Sequence, residues 1–248
     1  MEILINPKYE YLREYLSEID KHFEQDGHEI HHGRNVIRTV SVDGTTLCVK
    51  RYAQPSLKGR MAGKLTMPKG KRAYLSPLLL HERGFESPDP VAYVKYSKGI
   101  FNSESYFVCL YSNYRYSMST IESVSPDKRK EIIRQFAEFA ARLHEEGFLH
   151  RDFSSGNILD DTINGRFHFA LIDTNSMSCG RPVSIEKGCA NFARLSGSND
   201  FFIQLASAYA AARKSSPNYC LKLILAGHEK YLSRKEAERK KREETYNF

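Results

Sequence analysis

The chain of 248 residues is long enough to bury a full core, and its 41% apolar and 27% charged content argues against a disordered or fibrous protein. Lys+Arg of 37 against Asp+Glu of 30 leave a net charge of +7, a mild excess that serves solubility and also admits polyanionic partners such as nucleotides, nucleic acid or an acidic membrane surface. Five cysteines without a CxxC pair argue against a disulfide framework or zinc knuckle and fit a reducing compartment, and no stretch approaches the roughly 18 apolar residues of a membrane span, so any membrane contact is expected to be peripheral.

The opening stretch MEILINPKYEYLREYL is charged and has no apolar signal core. Asn6-Pro7 reads as an N-cap and first helical residue, and Tyr9, Leu12, Tyr15, Leu16, Ile19 and Phe23 follow helical spacing up to Gly27. From His28 the period becomes two. A strand at Ile30, a turn at His32-Gly33-Arg34-Asn35 and a second strand through Val36 and Val42 lead to the hairpin signal Asp43-Gly44, and Thr45 to Tyr52 forms a third strand. Residues 44 to 81 hold eight Lys/Arg and no acid. That one-signed charge, with Lys58, Arg60 and Lys64 at its centre, fits either a solvated loop or contact with an anionic substrate.

A helix is expected around residues 70 to 84, broken by Ser87-Pro88-Asp89-Pro90. Val91 to Tyr96 and Tyr106 to Tyr111 read as paired strands, followed by a polar connection through Tyr116. Ser125-Pro126 caps a long helix carrying Ile132, Ile133, Phe136, Phe139, Ala140 and Leu143, closed by Gly147. After the polar stretch 150–157, Phe167 to Ile172 is a buried strand ending at Asp173, and the remainder is mostly helical. The charged end (Arg234, Lys235, Arg239 to Arg242, interspersed with glutamates) reads as a solvated helix face, with membrane-surface contact the minor alternative.

His150-Arg151-Asp152-Phe153-Ser154-Ser155-Gly156-Asn157 carries the chemistry. An Asp followed five positions on by an Asn is what a phosphoryl-transfer loop needs: a carboxylate to orient or deprotonate an acceptor hydroxyl, and an amide oxygen to reach magnesium. Three other features occur in the order such chemistry requires. Lys50 on the third strand would neutralise phosphate oxygens, the Gly33-Arg34-Asn35 turn could cover them with backbone N–H groups, and Asp173 would join Asn157 in holding magnesium. Backbone groups near Cys109 to Asn113, Leu110 among them, are the natural place for an adenine ring to hydrogen-bond. This predicts an α+β, bilobal protein-kinase-like fold with an antiparallel-sheet small lobe and a mostly helical large lobe. An N-terminal helix is expected over 1–27, the small lobe over 28–111 and the large lobe over 112–248. His144, His150 and Arg151 read as scaffold. A small-lobe helix glutamate to pair with Lys50 is absent from its expected place, where Lys71-Arg72 stand; Glu82 or Glu86 would serve only if the helix lay differently.

LHEEGFLHRDFSSGNIL together with FALIDTNSM resembles the lipopolysaccharide kinase (Kdo/WaaP) family of the protein-kinase-like superfamily, bacterial enzymes that phosphorylate an inner-core sugar with ATP. The resemblance extends to the HHGRN turn, VKRY, ERGFESPDP and the Asp173-Thr174-Asn175 form of the metal-binding acid. It implies ATP and Mg2+ as cofactors, Asp152 as catalytic base, Asn157 and Asp173 as magnesium ligands, Lys50 as the ATP lysine and Asn175 as a substrate contact. It further implies a lipid-linked acidic sugar (Kdo or heptose) as acceptor and peripheral contact with the inner face of the cytoplasmic membrane, with no nucleic-acid partner expected. Where many relatives have a basic residue after Asp-x-Asn this chain has Ser176. From the residues alone, a protein or small-molecule acceptor, or a nucleotide-binding pseudokinase serving as an interaction module, stays open.

Overall fold

A computed structural model describes residues 1–52, 67–98 and 102–246, so Lys58, Arg60 and Lys64 lie outside the described residues. The chain divides into two compact units, Met1–Asn113 with Asp173–Ser176 and Tyr114–Ile172 with Met177–Phe248.

The first unit is built on a six-stranded antiparallel sheet. Its strands are β1 (Glu2–Ile5), β2 (His28–His32), β3 (Val36–Val42), β4 (Thr45–Tyr52), β5 (Pro90–Lys98) and β6 (Asn102–Leu110), ordered β1-β5-β6-β4-β3-β2. Asp43 and Gly44 both adopt positive φ (47° and 75°), the backbone of a tight hairpin whose twist matches that of β3 and β4. In β4 the alternation of a strand turns Leu47 and Val49 into the apolar cluster formed with Leu12, Leu16, Ile19 and Phe23. Lys50 therefore leaves from the opposite face. Its strand is hydrogen-bonded on both sides, Lys50 lying opposite Ile37 and Phe107, so the position of its side chain is fixed by the sheet.

The amino-terminal segment differs from the single helix that its periodicity predicts. Glu2–Ile5 pairs with Lys95–Ala92 as an edge strand. Asn6 then accepts from Lys8 N (3.2 Å), donates to Pro90 O (3.0 Å) and caps a 3-10 turn, Pro7–Leu12. The short helices α1 (Arg13–Ser17) and α2 (Ile19–His22) follow, separated at Glu18, whose φ of −116° breaks the helical path. The apolar spacing is satisfied because these turns wrap one sheet face, which a straight rod would leave.

Helix α3 (Lys69–Glu82) packs on β5, β6 and the 3-10 turn Thr174–Ser176.

In the second unit, α4 (Pro126–Glu145) begins with Pro126 in its first turn, where the missing N–H is not needed. It buries Ile132, Ile133, Phe136, Ala140 and Leu143. Phe136 sits at the centre of an aromatic core, its ring 5.9 Å from Phe153, 5.6 Å from Phe169 and 6.3 Å from Phe192. Strand β7 (Tyr116–Ser117) joins β9 (Ile158–Ile163) and β10 (Arg166–Leu171) in one small sheet, and β8 (Phe148–His150) pairs with β11 (Met177–Cys179). Helices α5 (Ile185–Asn191), α6 (Asn199–Ala212) and α7 (Pro217–Tyr246) complete the unit. Among the described residues no helix is long and apolar enough to cross a membrane.

Two buried titratable groups of this unit act in opposite senses. Burial pushes the His144 imidazole down to about 4. Its Nε2 donates to Asn191 Oδ1 (3.2 Å) and its Nδ1 accepts from Tyr209 Oη (2.8 Å), a pattern that the neutral ring satisfies. Burial, with the Asp161 charge adding, raises the Asp160 carboxyl to about 6 against the attraction of Lys128. As pH falls from 6.5 to 4, unfolded His144 takes up a proton that the folded ring refuses, so this group lowers stability toward acid. As pH rises from 3.8 to 6, unfolded Asp160 loses a proton that the folded carboxyl keeps, so this group lowers stability toward neutrality. The two slopes oppose. Asp160→Asn removes the second, and its urea-unfolding free energy is expected to fall more steeply than wild type between pH 6 and 4. A curve parallel to wild type would contradict the assignment.

Candidate active site

The sequence-predicted residues fall into two groups, one in each unit. In the first, Lys50 Nζ lies 2.5 Å from Asp173 Oδ1. With side-chain exposures of 12% and 33% the pair is shielded enough to matter more than a surface ion pair. Asp173 has a φ of 56°, a left-handed conformation that Asp and Asn tolerate better than other side chains. Asn175 Nδ2 donates to the same carboxylate oxygen (2.6 Å). Asn175, expected as a substrate contact, thus braces Asp173 from two residues away. Ser176 Oγ is buried without a hydrogen-bond partner, so it offers nothing at the surface where a basic residue was expected.

The geometry of α3 resolves the missing helix glutamate. Lys50 is paired with Asp173, and Glu82 lies at the far end of α3, about 20 Å along the axis from its start. The near end carries cations. Burial lowers the Lys69 ammonium, like-charge repulsion from Arg34, Arg72 and Lys50 adds to this, and Asp173 opposes it. Arg72 Nε is buried without a hydrogen-bond partner, whereas Lys71 turns away to Glu2 of β1 (2.9 Å). Lys50 thus pairs with Asp173, and Lys69 feels that carboxylate together with the cations Lys50, Arg72 and Arg34. Such a cluster leaves an excess of positive charge that phosphate oxygens can balance.

Around the expected nucleotide residues, the Gly33-Arg34-Asn35 turn is closed by Gly33 N to Asn35 O (3.2 Å). Leu110, expected as an adenine contact, donates its N–H to Asp89 O (2.9 Å), and Tyr111 N donates to Thr46 O (2.9 Å). Both N–H groups are thus engaged within the first unit.

In the second unit the loop after β8 is clamped from within. His150 is fully buried; its Nε2 donates to Ile172 O (3.0 Å) and its Nδ1 accepts from Asp152 N (3.1 Å). Asn157 Nδ2 donates to Asp152 O (2.9 Å), Ser154 N donates to Asp152 O (2.8 Å), and Ile172 N donates to Asn157 O (3.1 Å). With its amide nitrogen held by that carbonyl, Asn157 has Oδ1 as the side-chain atom that can serve as an oxygen donor. Phe153 anchors the loop in the aromatic core. The Asp152 carboxylate is left at the surface and forms an ion pair with Arg194.

Sequence reasoning missed Arg194, while Lys69 entered it only as one cation of the basic segment 44 to 81. Arg194 stands 42 residues beyond Asp152 with no spacing signal, one cation among 37.

Comparison with known proteins places these observations. Residues 79–198 match the model of the lipopolysaccharide kinase (Kdo/WaaP) family. Among curated proteins no match is found. Among solved structures the chain is similar to one described as WaaP in complex with acyl carrier protein, with a TM-score of 0.63 at 15% identity, covering 96% of this chain and 99% of that chain. At that identity the likeness establishes the kinase-like fold.

Proposed function

Starting from a chain that is a kinase by its lipopolysaccharide kinase (Kdo/WaaP) family match over residues 79–198, we propose that it moves the γ-phosphoryl group of ATP to a hydroxyl of an inner-core sugar, Kdo or heptose. The observation that carries this reading is the internally clamped loop from His150 to Asn157, which leaves the Asp152 carboxylate outward while fixing its backbone. In the reaction, the acceptor oxygen forms a bond to the γ-phosphorus as the bond to the β,γ-bridging oxygen breaks. ADP leaves with that bridging oxygen, and the hydroxyl proton goes to Asp152.

Lys50, supported by Lys69, Arg72 and Arg34, is assigned to the phosphates. The Asp173 carboxylate and Asn157 Oδ1 are hard oxygen donors of the kind magnesium prefers, and they are assigned to it. When bound, the ion neutralises phosphate charge. Asn175 holds Asp173 by its hydrogen bond. The acceptor assignment draws on the family match and on the basic composition of residues 44 to 81, where Lys58, Arg60 and Lys64 are proposed contacts to an acidic, lipid-linked sugar. Work at the inner face of the cytoplasmic membrane follows from that acceptor.

The test is a panel of acceptors incubated with labelled ATP: Kdo-lipid A, the free sugar, and a generic protein substrate. Label is expected on the lipid-linked sugar, with charge reversal at Lys58, Arg60 and Lys64 raising its KM. Label on protein or on a soluble small molecule alone would overturn the acceptor assignment.

A further inference from the structure

The segment Asn191–Ser196 is tied to the loop that carries Asp152. Asn191 Nδ2 donates to His150 O (2.8 Å), Arg194 Nη1 pairs with Asp152 Oδ1, and Ser196 N and Oγ both donate to Ser155 Oγ (3.0 and 3.1 Å). The same segment is seated on the carboxy-terminal helix α7. His228 Nδ1 donates to Ala193 O (3.0 Å), and the Arg194 guanidinium lies 5.5 Å from the centre of the Tyr231 ring. Arg194 closes the 3-10 turn Phe192–Arg194, whose Phe192 is buried in the aromatic core.

An isolated ion pair with exposures of 34% and 40% contributes little to stability. Its value here is directional. Arg194 is held from behind by the Tyr231 ring and from below by a buried turn, and it takes one carboxylate oxygen of Asp152. The second oxygen is thereby set for another donor. A carboxylate on a surface loop otherwise rotates about its own side-chain bonds, and in-line transfer loses rate steeply with small misplacements.

We propose that Arg194 is the positioning residue of the Asp152 carboxylate, held in place by α7 through Tyr231. This rests on Asp152 as the base that accepts the acceptor's proton. It makes the carboxy-terminal helix part of the catalytic machinery's support, although none of its residues belongs to the recognised motifs.

The test is steady-state kinetics with ATP and Kdo-lipid A, alongside ADP binding by calorimetry and thermal melts. Arg194→Ala is expected to lower kcat by about 10- to 100-fold, leaving the KM for ATP and the ADP affinity unchanged. Arg194→Lys is expected to recover part of the rate, and added guanidinium to rescue Arg194→Ala. Tyr231→Leu is expected to lose rate in the same way, with KM for ATP unchanged. On an Asp152→Asn background, Arg194→Ala should cause no further loss, because the two residues act as one unit. Wild-type kcat in Arg194→Ala with an inactive Asp152→Asn overturns the positioning role and leaves the base assignment standing. An active Asp152→Asn overturns the base assignment itself. Should Arg194→Ala fail to fold, Arg194→Lys and Tyr231→Leu carry the test, and wild-type rates in both would refute the inference.

Discussion

Asp152→Asn is expected to lower kcat by about a thousandfold, within the range that a positioned general base contributes, while ADP affinity and melting temperature stay near wild type. The expectation follows from which atoms hold the loop. Ser154 N and Asn157 Nδ2 both bond the main-chain carbonyl of Asp152, and the Asp152 N–H bonds His150, so replacing one side-chain oxygen by an amide leaves each of these intact. The lost side-chain contact is the partly exposed ion pair to Arg194, too exposed to threaten the fold. The variant isolates chemistry from structure. A kcat within a few-fold of wild type would mean that the acceptor proton leaves by another route.

The second large effect separates the two members of the Lys50–Asp173 pair. Lys50→Met should weaken ADP binding and lower kcat by roughly 100-fold, as expected for removal of a preorganised charge facing the transferred group. Asp173→Asn should instead abolish the magnesium dependence of nucleotide binding, read by calorimetry with and without chelator. Asn is the substitution of choice because Asp173 sits at a φ of 56°, which Asn tolerates, whereas Asp173→Ala adds backbone strain to the loss of charge. The cations Lys50 and Lys69 beside Asp173 sharpen the contrast. Removing the carboxylate leaves Lys50 without this ion pair and Lys69 without this opposing charge, so Asp173→Asn is expected to bind metal-free ADP more tightly than wild type. Equal metal dependence in wild type and Asp173→Asn would contradict the assignment of Asp173.

What the sequence made legible was whatever is local. The Asp43-Gly44 hairpin, the alternation that puts Lys50 on the polar face of β4, the capped helix Pro126–Glu145 and the loop from His150 to Asn157 are each written in contiguous residues. The strand Glu2–Ile5 was hidden, because four residues carry no period of their own and their partner, Ala92–Lys95, lies far along the chain. The helical period after Asn6 was genuine, yet breaks at Tyr9 and Glu18 turned one expected helix into three short pieces following the sheet. The partner of Lys50 was sought as a helix glutamate; it is Asp173, 123 residues away and already singled out for another role. Arg194 had no motif to announce it, since long-range ion pairs leave no spacing in a single sequence.

The central claim is phosphoryl transfer to a lipid-linked sugar by a site built on Asp152. Mass spectrometry of Kdo-lipid A after incubation with ATP and magnesium tests it most directly, comparing wild type with Asp152→Ala. The account predicts one added phosphoryl group on the sugar portion with wild type and none with Asp152→Ala. An unmodified acceptor with wild type, or equal modification by both proteins, would contradict it.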